Sequence, residues 1–300
     1  MAKTTASPAL EVQKTYKLYI GGKFPRTDSG RYYPLTNSKG RLLGNICRGT
    51  RKDFRNAMVA ARSAQGGWNG KTAYNRSQIL YRIAEMLQGR AAQFIDELVK
   101  QGSTQARAQK EVEQSIDRLV YYAGWCDKYQ QIFSSVNPVA SSHFNFSVLE
   151  PMGVIAVIAP EETSLLGLVS VIAPIIAGGN TCVVLCSESH PLCAITFGEV
   201  INSSDVPGGV VNLITGFEKE IYEQMATHMD VNAVVYCRDN KEVLIGIKEK
   251  ATSNVKRVID WSNAAWNNEK SQSPYHIADL QETKTTWHPI ENIGGTQGGY

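Results

Sequence analysis

Gly153-Val154-Ile155-Ala156-Val157-Ile158-Ala159-Pro160 is a continuous apolar run closed by a proline. It is too short for a helix of ordinary length, and it is rich in β-branched residues. A strand buried on both faces has this texture, because neither side of it meets water. Four further runs follow. Thr181-Cys182-Val183-Val184-Leu185 comes after Gly178-Gly179-Asn180, and Val210-Val211-Asn212-Leu213-Ile214 comes after Pro207-Gly208-Gly209. Ala233-Val234-Val235-Tyr236 is the fourth, and Lys256-Arg257-Val258-Ile259 is a weaker fifth. The intervals between them, about 20 to 30 residues, suit right-handed βαβ crossovers. Residues 151–262 therefore read as a doubly wound α/β sheet of the Rossmann type.

Upstream, the pattern differs. Leu18-Tyr19-Ile20, Gly21-Gly22 and Tyr32-Tyr33-Pro34 are β-type runs among turn signals, and predict a small antiparallel ribbon over 18–50. From Arg51 to about Tyr129 apolar residues recur three or four apart: Phe54, Met58 and Ala61, then Ile79, Ile83, Met86 and Leu87, then Phe94 and Leu98, then Ile116, Leu119 and Tyr122. That period predicts helices. Residues 130–150 alternate and end in Phe144-Asn145-Phe146-Ser147-Val148, which predicts a protruding β-hairpin.

Residues 1–16 are small, polar and weakly basic and read as a flexible arm. Residues 263–300 read as a polar docking segment and tail, with Thr285-Thr286-Trp287-His288-Pro289 suited to docking in extended form and Gly294 to Tyr300 flexible by composition.

Bulk composition excludes several classes. The charged fraction is 20% and the net charge +3, too little to argue for a nucleic-acid surface. Arg41, Arg48, Arg51, Lys52 and Arg55 cluster in sequence as a solvated face. The stretch around Leu165 to Ala177 is too short and broken to span a bilayer. Cys47, Cys126, Cys182, Cys186, Cys193 and Cys237 form no CxxC pair, and no histidine cluster has metal spacing. A cytoplasmic protein with no metal, no membrane and no nucleic-acid partner is the reading.

The order of pieces resembles the aldehyde dehydrogenase superfamily. The matching segments are Lys17-Leu18-Tyr19-Ile20-Gly21-Gly22, Trp68 with Arg76, Tyr122-Ala123-Gly124-Trp125, Glu150-Pro151-Met152-Gly153-Val154-Ile155 and Ile176-Ala177-Gly178-Gly179-Asn180-Thr181. Pro207-Gly208-Gly209-Val210-Val211-Asn212, His228-Met229-Asp230-Val231 and Asn254-Val255-Lys256-Arg257-Val258 complete the set. Together they span 17–262, the expected dinucleotide-binding-type domain, with the hairpin at 130–150 serving oligomerisation. Within the superfamily the chain is similar to the shortened second domain of the family-16 aldehyde dehydrogenases, which is regarded as non-catalytic. The resemblance implies that the catalytic domain is lacking.

In active members a cysteine thiolate attacks the aldehyde, hydride leaves to NAD(P), and a base helps water cleave the thioester. An asparagine amide and a backbone N–H hold the oxyanion. Carried over residue by residue, the amide position is Glu162, the base position is Trp261, and the nucleophile falls near Gly295. A carboxylate only accepts when ionised, so Glu162 would repel an oxyanion. The glycine pair after the base is Asn263-Ala264, the ribose lysine is Leu185, and the Gly-Ser that meets the pyrophosphate is Arg238-Asp239, where Arg238 partly offsets the added charge of Asp239. The cofactor-contact positions left are Ile158, Ser187, Glu188 and Gly209.

These losses predict a pseudoenzyme: a non-catalytic scaffold or regulatory subunit that pairs with itself or with a full-length aldehyde dehydrogenase and holds no cofactor. One alternative is a nucleotide-binding regulatory module that still takes NAD or NADP. Another is residual or novel oxidoreductase chemistry through Glu161, Glu162 or Cys186. The bland alternatives are a helix-capping turn for Glu161-Glu162, a packed thiol for Cys186 beside His190, and cover for a bared face for Trp261 and Trp266.

Overall fold

A computed structural model describes residues 14–290. Most of the arm, the glycine-rich tail and Gly295 lie outside the described residues. The elements in chain order are β1 (Thr15–Tyr16), β2 (Tyr32–Thr36), β3 (Leu42–Cys47), α1 (Arg51–Asn69), α2 (Ala73–Gly89), α3 (Ala91–Lys100), α4 (Gln105–Ala123) and α5 (Tyr129–Phe133). Then come β4 (Ser135–Asn137), β5 (His143–Pro151), β6 (Val154–Ile158), α6 (Leu166–Ala177), β7 (Thr181–Leu185), α7 (Leu192–Asn202), β8 (Val211–Ile214) and α8 (Glu218–Thr227). The chain continues through β9 (Ala233–Tyr236), α9 (Lys241–Ala251), β10 (Arg257–Asp260), α10 (Tyr275–Ala278) and β11 (Gln281–Pro289).

The five apolar runs form one parallel sheet in the order β10-β9-β6-β7-β8. Alternation splits each strand between two layers of core. Ile155 and Val157 of β6 pack with α6 and α7, and with α2 and α4 behind them. Val154, Ala156 and Ile158 face α1, α8 and α9. Both faces are covered, which is why these strands read as unbroken hydrophobic runs.

The helical reading over 51–129 resolves into α1 to α5. Thr50 and Asp53 make a capping box at α1: the Thr50 side chain accepts from the Asp53 N–H, and the Asp53 carboxylate accepts from the Thr50 N–H at 2.8 Å. Trp68 Nε1 donates to Ile176 O at 3.0 Å and Arg76 Nε to Ala177 O at 3.1 Å, so α1 and α2 are pinned to the end of α6.

Two local readings change. Leu18-Tyr19-Ile20 does not belong to the ribbon, which is formed by β2 and β3. Tyr19 instead exchanges backbone hydrogen bonds with Leu213 at 3.0 and 2.7 Å, covering the β8 edge of the large sheet. At the end of the arm segment, Thr15–Tyr16 pair in parallel with Asn45–Ile46. The buried Tyr16 hydroxyl donates to Glu97 Oε1 at 3.0 Å.

The hairpin is present as β4 and β5, and it gains a third strand. β11 runs antiparallel to β5 from Gln281↔Pro151 to Pro289↔His143. No helix among the described residues is long and apolar enough to cross a membrane.

Candidate functional site

In this sheet the first strand, β6, lies in the middle. The chain winds outward to β7 and β8, then returns to place β9 and β10 on the other side. The order reverses between β6 and β9, and the carboxyl ends of strands at such a point form a crevice that binds ligands in open α/β folds. Here those ends carry Glu161 after β6, Ser187 and Glu188 after β7, Arg238 and Asp239 after β9, and Trp261 after β10. Of these, Glu161, Glu188, Arg238 and Asp239 line a cleft of roughly 730 Å³, whose wall also includes Glu162, Glu218 and Trp266.

Arg238 organises the floor. Its side chain is only 6% exposed. Nε donates to Ala159 O and Nη2 to Cys186 O, both at 2.9 Å. Nη1 lies 2.8 Å from Glu161 Oε1 and 3.3 Å from Glu188 Oε1. One guanidinium thus ties β9 to the ends of β6 and β7.

Glu161 collects further donors. The backbone N–H groups of Glu188 and Ser189 reach its carboxylate at 3.1 and 3.2 Å, and the Ser187 and Ser189 hydroxyls at 2.8 Å. Burial alone would raise its pKa, but the Arg238 charge and these hydrogen bonds outweigh burial and hold it below the usual carboxylate range. Glu188 pairs with Arg238 and also accepts the N–H of Glu218 at the start of α8. Glu218 itself is pushed up, first by burial, with Arg238 and the Tyr236 hydroxyl opposing.

Glu161 and Glu162 therefore differ sharply. Glu161 is bound into the floor, while Glu162 is exposed on the rim. Neither caps α6. That helix start takes its acceptor from α4: Glu111 Oε1 receives the N–H groups of Leu165 and Leu166 at 3.0 and 3.2 Å. The capping-turn reading is replaced by a cap supplied from some fifty residues upstream.

Of the four cofactor positions, the structure brings Ser187 and Glu188 together at the crevice. Ile158 points away, into the layer beneath α1 and α8. Gly209 precedes β8 and so lies at the opposite end of the sheet. Leu185 is buried in that same lower layer. Trp261 is 8% exposed; its ring lies 6.2 Å from Trp266 and 4.6 Å from His276. Arg118 supports this segment, donating to Trp266 O and Asn268 O at 3.2 and 3.4 Å and to Ser170 Oγ at 3.0 Å.

All six cysteines are buried and none is in a disulfide. Burial pushes the Cys186 thiol up to about 12. Its sulfur bonds to Val184 O, whereas His190 Nδ1 meets Ser189 Oγ at 2.9 Å. No group of three or more metal-ligating side chains occurs among the described residues. Sequence reasoning missed the weight of Arg238. The available signal was an arginine two residues beyond the wholly apolar run Ala233 to Tyr236.

The aldehyde dehydrogenase family model matches residues 25–260. The chain belongs to the aldehyde dehydrogenase family. Retinal dehydrogenase 2 of Gallus gallus is 32% identical over 260 residues, covering 84% of this chain and 49% of that protein. Aldehyde dehydrogenase family 2 member B4, mitochondrial, of Arabidopsis thaliana is 30% identical over 264 residues, covering 86% and 48%. Among solved structures, PnpE from Pseudomonas sp. WBC-3 superposes with a TM-score of 0.78 at 26% identity, covering 82% of this chain and 50% of that one. The NAD+ complex of the Bacillus cereus aldehyde dehydrogenase gives 0.78 at 24% identity, with 82% and 50% covered. The chain spans about half the length of the relatives it matches. The expected aldehyde-dehydrogenase-like α/β fold is the fold observed.

Proposed function

We propose that this chain is a non-catalytic aldehyde dehydrogenase homologue, a scaffold or regulatory subunit that assembles with a full-length NAD(P)-dependent aldehyde dehydrogenase. The observation that carries the proposal is Trp261. The residue at the family's base position is an indole packed against His276 and Trp266, with no proton acceptor to offer water. Glu162, at the oxyanion position, adds a carboxylate where a donor is needed. Parts that act as a unit fail as a unit, so two such replacements leave little turnover.

The partner side of the proposal is supported by the small sheet. Val136, Phe146 and Thr286 share one face by register, with Phe144 two residues along. Val136 is 67% and Phe144 46% exposed. An apolar strand face open to water is suited to cover by another chain. The six unpaired cysteines support a reducing compartment, and the cytoplasm is the location proposed.

Co-expression with a full-length aldehyde dehydrogenase from the same source, followed by light scattering, tests this. The expected result is a species heavier than either chain, and background oxidation of aldehydes by this chain alone with NAD or NADP. A chain that always runs as a lone monomer, or that turns over aldehyde by itself, ends the proposal. With Glu188 engaged by Arg238, no observation favours a nucleotide-binding regulator.

A further inference from the structure

Dinucleotides bind at the switch point by laying a pyrophosphate against free backbone N–H groups at a helix start, approached closely over glycine. The groups at this crevice do not fit that task. The start of α9 is capped by Asn240, whose side-chain oxygen accepts from Val243 N–H at 3.2 Å, and Asp239 stands before it. The start of α8 gives the N–H of Glu218 to Glu188. The backbone donors after β7 are taken by Glu161. Arg238, the one cation of the floor, faces both carboxylates and two backbone carbonyls. The backbone donors after β7 and at α8, the carboxylates of Glu161 and Glu188, and the Arg238 charge are thus matched to one another within the chain.

We infer that Arg238, with Glu161 and Glu188, is a built-in occupant of the switch-point crevice: it closes the site to dinucleotides and holds the ends of β6, β7 and β9 together without a cofactor. This stands whether or not the chain assembles with a partner. A planar fork can reach two carboxylates and two carbonyls at once, whereas an ammonium cannot. Removing it leaves two carboxylates facing each other at a largely buried floor.

The test is thermal unfolding of the full chain. Arg238→Ala is expected to lower the Tm by roughly 6 °C or more, since breaking a buried ion pair strands its partners. Methylguanidine at low millimolar concentration should restore at least half of that loss in the variant and leave the wild type unchanged. Arg238→Lys, which keeps the charge without the fork, should show a smaller loss and no rescue. Millimolar NAD or NADP should not shift the wild-type Tm. A wild-type Tm raised by either dinucleotide overturns the proposal even if the variants fail to fold. So does an Arg238→Ala protein that melts within about a degree of wild type, or one that methylguanidine leaves unchanged.

Discussion

Gly209→Ala is expected to destabilise the protein severely, by a mechanism remote from any ligand. Gly209 has φ +97, a conformation that L side chains rarely adopt. A Cβ there would lie 2.5 Å from Ala60 O and 3.0 Å from Ala60 C, both backbone atoms of α1. Its carbonyl already accepts from Asn212 Nδ2 at 2.8 Å, so the turn cannot slide without losing that bond. Backbone strain and overpacking together are worth about 3 kcal/mol or more, a large share of the stability of an ordinary domain. Gly66, in the last turn of α1, is the control: it is exposed, and a Cβ there meets nothing within 4 Å. Gly66→Ala should stabilise by about 0.5–1 kcal/mol. Urea midpoints of the two variants decide the matter. A Gly209→Ala protein with a midpoint close to wild type would show that α1 yields freely. Gly209 would then no longer count as a packing glycine.

The contrast between these two glycines shows what was readable in the sequence. The core strands were legible because burial on both faces leaves a purely local signature: runs at 153–160, 181–185 and 233–236 coincide with β6, β7 and β9. The helices were legible for the same reason, through their period. What failed was what depends on a distant partner. Leu18-Tyr19-Ile20 has strand composition, but its pairing partner is Leu213, and no local feature distinguishes a ribbon strand from an edge cover. The start of α6 borrows its cap from Glu111. β11 includes Thr285 to Pro289, the segment expected to dock in extended form, but its start at Gln281 and its partner β5 have no local sign. The site shows the same division. Family positions could be numbered along the chain. That Glu161 rather than Glu162 is bound into the floor depends on where Arg238 and the Ser187–Ser189 turn arrive, and those come from other strands.

The segment after Trp261 carries a pH-sensitive contact. His276 sits against the Trp261 ring, with its Nδ1 3.0 Å from the Tyr122 hydroxyl. Burial, and then the nearby Arg118 guanidinium, lower its pKa to about 4. In the unfolded chain it titrates near 6.5. Between those values the unfolded state takes up a proton that the folded state refuses. The stability that a neutral His276 contributes is therefore complete above about pH 6.5 and is lost as pH falls towards 4. The full difference corresponds to about 3 kcal/mol. Other groups titrate in the same window with mixed sign: Glu97 is raised, mainly by burial, and favours the fold in acid, while Glu161 is lowered and disfavours it. Comparison with His276→Phe cancels them, because both proteins carry them. Phenylalanine keeps a ring among Trp261, Trp266 and Ile277 but loses the bond to Tyr122 and the proton site. The variant should be less stable than wild type at pH 7, and the gap should close or reverse by pH 4. Parallel stability curves across that range would mean that His276 is protonated in the folded state, with solvent reaching the ring. The 261–280 segment would then be no sealed cover over α4 and α6, and Trp261 would be free to turn towards the cleft.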